Sequence, residues 1–304
     1  MPVLEDMYRE LRPYAFAIAY RMLGSVAEAE DVVQDAFVRL STASAEEITA
    51  PKAYLATVTT RLAIDALRSA RVRRESYVGP WLPEPLLIDP DAGPAENAVS
   101  AESLSMAFLV VLETLSPVER AVFLLHDVFA YDYAEIATIV GKSEANCRQL
   151  ASRARKHVEA GRPRFTTTET QKAELAHRFF AAVAGVDLGG LVSMLADDVA
   201  FYGDGGEKGS GLKVPVLGGT AVARVVLGLA RRATMLGITM SPVRINGEPG
   251  ALFRDADGAL ISLLGLQIDG DEIRTIRGFV NPDKIAHLGR LSPLGRRDTT
   301  GDWG

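Results

Sequence analysis

The feature that most constrains this chain is a proline-rich interruption. Residues 76–100 (SYVGPWLPEPLLIDPDAGPAENAVS) hold five of the 15 prolines and four acids, with no Lys or Arg. Proline lacks the backbone N–H that a helix interior or a central strand needs, so the segment divides the chain. Trp81, Leu82, Leu86, Leu87 and Ile88 are too apolar for a free tether, and part of the segment is expected to dock on a neighbouring domain. A second joint falls at Gly161–Thr168, where a helical pattern stops at Gly-Arg-Pro before a Thr cluster. At 304 residues the chain has room for two or three domains. The reading is three units, residues 1–75, 101–160 and 169–290, with 76–100 as linker and a frayed tail after Leu291.

Composition narrows the class. Apolar residues make up 48% and charged residues 24%, as in globular rather than disordered chains. No apolar run is long enough to span a membrane, and the N-terminus carries charges where a signal peptide has its apolar core, so a cytoplasmic protein without membrane contact is expected. A single cysteine, Cys147, leaves no disulfide and no CxxC site; neither metal nor cofactor is expected.

Charge is uneven. Residues 1–40 carry seven acids against four arginines. Residues 61–74 carry Arg61, Arg68, Arg71, Arg73 and Arg74 against Asp65 alone, and residues 141–164 carry seven bases against two acids. Two basic islands in a chain of net charge −6 suit a protein that touches DNA at two places and offers acidic surface elsewhere to another partner.

The first two units read as helical. Ser25 and Glu28 form a capping-box signature after Gly24, and Ala29, Val33, Ala36, Phe37 and Leu40 recur at helical spacing, predicting a helix over 26–40. Pro51 starts a third helix, which carries the first basic island. Ser116, Pro117 and Glu119 supply N-cap, N1 and N3 of a helix running to about Phe129. From Tyr133 a short amphipathic helix, a turn at Gly141 and a helix capped by Ser143 have helix-turn-helix spacing. Asn146, Arg148, Gln149, Ser152 and Arg153 face outward on the second helix, with Arg155 and Lys156 beyond them; these are types that reach base edges and phosphates. The third unit reads as helices followed by an antiparallel meander, with type I′ turns at Asp257/Gly258 and Asp269/Gly270. It also carries a short helix at Leu188–Ala196 that ends before Asp197 and Asp198.

The runs GSVAEAEDVVQDAF (24–37), YLATVTTRLAIDALRSARVRRE (54–75), LSPVER (115–120) and YAEIATIVGKSEANCRQLASRARK (133–156) resemble regions 2 and 4 of extracytoplasmic-function (ECF) sigma factors. The resemblance implies two all-α sigma domains, a region 2 bundle and a region 4 helix-turn-helix, and a transcription initiation factor rather than an enzyme. It implies that Asp31, Gln34 and Asp35 meet the β′ clamp of core RNA polymerase, with the β flap as a further contact. Arg61, Asp65, Arg68, Arg71, Arg73 and Arg74 would lie on the promoter −10 element, although Arg61 stands where many members have Asn. Ser143, Asn146, Arg148, Gln149, Ser152, Arg153, Arg155 and Lys156 would serve the −35 element.

Residues 169–290 exceed a minimal sigma factor and are similar to SnoaL-like domains of the NTF2-like superfamily, an α+β cone with a pocket. Three motifs resemble marks of the sigma subgroup with this extension. They are WLPEP (Trp81, Leu82, Pro83, Glu84, Pro85), DGGEK (Asp204, Gly205, Gly206, Lys208) and NPDK (Asn281, Pro282, Asp283, Lys284). The second motif departs from the usual DGGG at Glu207. The resemblance implies a regulator acting in cis through these motifs on the sigma units, with a small ligand as a further possible partner. Two alternatives stay open: a helix-turn-helix regulator with a ligand-sensing domain, or an isomerase or cyclase using Asp198, Asp204, His177 or His287.

Overall fold

The computed structural model describes residues 2–43, 50–88, 101–160 and 167–295. Its contacts divide the chain into two compact units. One comprises residues 1–76 and 91–162, the other 77–90 and 163–304. The two helical regions thus share one unit, and the first half of the linker belongs to the second. The linker's 89–100 stretch, the joint at 161–166 and the end of the tail lie outside the described residues.

In the first unit, α1 (Pro2–Leu23), α2 (Val26–Thr42) and α3 (Pro51–Glu75) form a three-helix bundle. Gly24 takes φ 66°, which closes α1, and Ser25 then caps α2 by accepting from the Glu28 amide at 3.2 Å. The expected apolar stripe Ala29, Val33, Ala36, Phe37 and Leu40 is buried, so the opposite face, with Asp31, Gln34 and Asp35, is exposed.

The rest of the unit holds α4 (Met106–Leu112), α5 (Pro117–Phe123), α6 (Tyr133–Val140) and α7 (Glu144–Ala160). Ser116 and Glu119 make the complete capping box at α5. The expected single helix to Phe129 is instead α5 followed by a π-helical turn, Leu124–Val128, with Ala130 at φ 60° beyond it. Asp132, not among the expected caps, closes a second capping box at α6. Gly141, at φ 66°, makes the turn into α7, and Cys147, Leu150 and Ala151 pack with Ile136 and Ile139. Ala134, in the first turn of α6, is exposed.

Polar side chains bind the two regions of this unit together. Arg21 is fully buried and donates to Ser103 Oγ (3.1 and 3.3 Å) and to Ala17 O (3.0 Å); burial pulls its pKa down to about 10. Arg120 donates to Arg21 O at 2.9 Å and pairs with Glu113 at 2.5 Å. The Tyr14 and Tyr131 hydroxyls lie 2.7 Å apart.

The second unit packs α8 (Glu169–Ala184), α9 (Leu188–Met194) and α10 (Gly219–Met235) on a six-stranded sheet of order β2-β1-β6-β5-β4-β3. The strands are β1 (Leu195–Asp204), β2 (Val216–Leu217), β3 (Thr239–Ile245), β4 (Glu248–Arg254), β5 (Leu260–Asp269) and β6 (Glu272–Phe279). Among these six strands the β1–β6 pair is parallel and the other pairs are antiparallel. Phe179, Leu191, Val199, Val222, Leu266 and Ile276 centre the core. A final turn of helix, α11 (Pro282–Ile285), follows the sheet. Helices on a mixed sheet around a cavity is the arrangement that the SnoaL-like resemblance implies.

The structure departs from the sequence expectation at three places in this unit. The short helix ends at Met194, and Asp197 and Asp198 are exposed positions of β1 beside its bulge. Between β5 and β6 the loop residues are Gly270 and Asp271; only Gly270 has positive φ (68°), which rules out type I′. Between β4 and β5, Asp257/Gly258 sits in a longer loop, in which Asp255 Oδ1 accepts from the amides of Asp257 and Ala259. The type I′ turn is Asn246–Gly247, between β3 and β4, with φ 52° and 80°.

Candidate nucleic-acid interface and linker seat

The outward residues of α7 fall as its amphipathic pattern requires. Ser143 caps the helix through the Asn146 amide (3.3 Å); Asn146, Arg148, Gln149, Ser152, Arg153 and Lys156 are exposed. Arg148 pairs with Glu144 at 2.7 Å and lies over the Tyr133 ring, and Arg153 pairs with Glu119 at 3.1 Å. These pairs are solvent-exposed on the Arg side and weak, so either guanidinium can exchange its carboxylate for a phosphate or a base edge. Arg155 differs. It is half-buried, donates to Asp127 (2.6 Å) and Tyr133 OH (3.3 Å) and lies 3.0 Å from His126 Nδ1. That hydrogen bond to Asp127 raises its pKa, and the geometry makes it a brace between α7 and the π-helical turn.

On α3, Asp65 and Arg68 are exposed and pair at 2.9 Å. The side chains of Arg71, Arg73 and Arg74 lie outside the described residues. Arg61 spans to the other region of its unit, donating to Ile139 O and Thr138 O, both at 2.9 Å. These carbonyls close the last turn of α6, where a cation is favoured by the helix dipole and by orphaned acceptors.

The linker motif folds onto the second unit. Buried Asp204 ends β1. Its Oδ2 accepts from the Leu82 amide (2.8 Å) and from Lys284 Nζ (2.6 Å), and its Oδ1 from the Tyr77 hydroxyl. Lys284 Nζ also donates to Leu82 O and sits over the rings of Tyr77 (4.7 Å) and Trp81 (4.3 Å). Asn281 caps α11 through the Asp283 amide and donates to Tyr77 OH at 2.7 Å. A buried ion pair survives only where its remaining valences are met, and here backbone and ring partners meet them. Burial first, and then the Asp204 charge, raise the Tyr77 pKa.

The glycines of the second motif follow from this packing. A Cβ on Gly205 would lie 2.2 Å from Gly211 N, and one on Gly206, at φ 56°, 2.6 Å from Asn281 Nδ2. Glu207 is exposed, so its departure from the family pattern disturbs no close approach. Lys208 and Asp283 form an exposed pair at 2.9 Å. Pro83, Glu84, Pro85 and Pro282 are buried.

Farther along, the linker extends the sheet. The Leu86 amide donates to Asn246 Oδ1 (2.9 Å), the Asn246 amide to Leu86 O (2.8 Å) and the Ile88 amide to Arg244 O (3.0 Å), with Leu87 bridged antiparallel to Ile245. This is strand addition to the β3 edge. His287 Nε2 lies 2.9 Å from Pro85 O. Tyr77, Asn246, Arg244 and His287 were not among the expected interface residues. Of these, only Asn246 carried a sequence signal, the Asn-Gly turn.

The residues of the catalytic alternative lie apart from the cavity of the second unit. This cavity is about 560 Å³, and Asp198, Asp204, His177 and His287 are all absent from its wall. Asp198 pairs with Arg274 on the surface at 3.1 Å; Asp204 is committed to the linker. Among the described residues no His, Cys, Asp and Glu cluster could hold a metal, and no helix is long and apolar enough to cross a membrane.

Comparison with known proteins agrees with this geometry. Residues 7–73 match the Sigma-70 region 2 family and residues 105–158 the Sigma-70, region 4 family. The chain is 39% identical over 301 residues to the ECF RNA polymerase sigma factor SigJ of Mycobacterium tuberculosis, covering 95% of this chain and 94% of that one. It is 33% identical over 283 residues to the probable ECF sigma factor SigI of the same species, covering 92% and 94%. The crystal structure of M. tuberculosis SigJ superposes with a TM-score of 0.76 at 36% identity, covering 95% of this chain and 99% of that one. The chain belongs to the ECF RNA polymerase sigma factors, non-enzymatic initiation factors that bind core RNA polymerase and promoter DNA.

Proposed function

We propose that the exposed face of α2 with Asp31, Gln34 and Asp35 meets the β′ clamp, and that the helix-turn-helix region meets the β flap. In this reading the basic end of α3 (Arg61, Asp65, Arg68, Arg71, Arg73, Arg74) reads the −10 element. The outward face of α7 (Ser143, Asn146, Arg148, Gln149, Ser152, Arg153, Lys156) reads the −35 element, with Arg155 as its brace. The work is done in the cytoplasm, where polymerase is.

The observation that carries the cis-regulatory part is the convergence of all three motifs on Asp204. Tyr77 and Leu82 from the linker and Lys284 from the last helical turn donate to one carboxylate, and Asn281 donates to the Tyr77 hydroxyl. The C-terminal domain therefore sets the course of the linker that joins the two promoter-reading regions. A held linker loses less conformational entropy when it is threaded through polymerase than a free one does, so the domain supports initiation. Lys284→Met is expected to lower promoter-dependent run-off transcription while core-polymerase binding is kept. Transcription at the wild-type level would overturn this reading.

A second inference concerns Arg61. Its two bonds to the end of α6 occupy a residue assigned to the −10 element, so they must be released for it to reach DNA. Polymerase binding is the event that releases them.

A further inference from the structure

The cavity of the second unit falls in the ~300–1,000 Å³ range of small-molecule pockets, at about 560 Å³. Its wall is aromatic and aliphatic, with Phe179, Phe180, Phe201 and Phe253 on it. Among the described residues the charged side chains on that wall are Lys213 and Arg232, both cationic, and no Asp, Glu, His, Tyr or Cys lines it. A wall without carboxylate, imidazole, phenol or thiol among its described residues lacks the usual general acids and bases, so it is read as a binding surface. Apolar walls reward burial of an apolar body, and two cations on them reward an anionic head.

The loop at 205–213 is shared by cavity and linker. Ser210–Lys213 line the cavity. The same loop meets the linker: a Cβ on Gly79 would lie 3.1 Å from Leu212 O. The loop is closed on itself by glycine: a Cβ on Gly211 would come within 2.2 Å of Gly205 N, and one on Gly203 within 3.0 Å of Leu212 N. A segment packed this closely cannot shift on one side alone.

We propose that this cavity binds an amphipathic anion, a carboxylate or phosphate on an apolar body, with Lys213 and Arg232 at its head. Occupancy then tightens the linker seat through loop 205–213. The binding stands independently of the promoter reading; the consequence for the linker rests on it, and the test needs no polymerase.

The full chain carrying Trp303→Phe leaves Trp81 as sole tryptophan. Calorimetry with laurate and dodecyl phosphate below micelle formation is compared with dodecanol and with acetate, while Trp81 emission is followed in parallel. At least one dodecyl anion is expected to bind about 10-fold or more tighter than dodecanol, a difference of about 1.4 kcal/mol, and acetate to give no heat. The tighter anion identifies the head group. Lys213→Gln with Arg232→Gln should reduce the anion to the affinity of dodecanol, and Ala230→Trp, which fills the cavity, should abolish binding. The two glutamine changes fall on partly exposed side chains and leave the core intact, so they decide the matter even if the Trp variant fails to fold. Trp81 emission should change with the same Kd. Absence of anion binding, equal binding of dodecanol, or affinity unmoved by the glutamine changes would overturn the site. Binding without a Trp81 response would overturn the coupling.

Discussion

Asp204 and Lys284 show how a few side chains can set the course of a linker. Removing one partner of a buried, hydrogen-bonded ion pair costs about 3–5 kcal/mol, whereas an exposed pair is worth at most about 1 kcal/mol. Asp204→Ala is therefore expected to destabilise the second unit by several kcal/mol in urea unfolding, and Asp283→Ala, whose ion pair with Lys208 is exposed, by less than about 1. The hydroxyls of Tyr77 and Tyr14 give a pH signature. Both pKa values are raised, by burial first, then by Asp204 for Tyr77 and by the Tyr131 hydrogen bond for Tyr14. Raised acids contribute stability that is complete below the unfolded tyrosine pKa of about 10 and falls away above it. Urea midpoints should decline more steeply above pH ~10 in the wild-type chain than in Tyr77→Phe or Tyr14→Phe; equal slopes would show that the buried hydroxyls do not control this limb.

At the scale of elements, local chemistry was legible and long-range pairing was not. The cap at Ser25, the box at Ser116/Glu119 and the glycine turn at Gly141 depend on neighbours within four residues, and all are formed. The Asn246–Gly247 turn was equally local but competed with two Asp-Gly pairs, which serve other loop geometries. The π-helical turn, the strand pairing of 86–88 and the reach of Arg61 to α6 have partners set by tertiary packing, to which no sequence period refers. Arg155 illustrates the limit. It belongs to the same basic run as Arg148 and Arg153, yet Asp127 turns it inward. Arg148→Ala and Arg153→Ala are each expected to weaken −35 binding by about 1–3 kcal/mol with an unchanged melting temperature. Arg155→Ala should lower the melting temperature as well, and a stable Arg155→Ala chain would refute its role as a brace.

For the whole molecule, the proposed function gives the −6 charge a role. Residues 1–164 hold 18 bases and 23 acids, so the promoter-reading part is itself acidic. Sequence-independent DNA affinity comes from neutralising phosphates, and a chain of this balance has little of it alone. Arg61, held by α6 in the first unit, withholds one base more. In fluorescence anisotropy at physiological salt the isolated chain should bind a promoter duplex far more weakly than its complex with core polymerase; comparable affinities would contradict this division of labour.

The most direct measurement is promoter-dependent run-off transcription by core polymerase supplied with wild-type, Lys284→Met or Asp283→Ala chains, with core binding measured alongside. The expected result is a specific transcript from the wild-type and Asp283→Ala chains, and about a 10-fold smaller yield with Lys284→Met, equivalent to about 1.4 kcal/mol, at equal occupancy of polymerase. A Lys284→Met chain that initiates like wild type would contradict the claim that the C-terminal domain supports initiation by holding the linker.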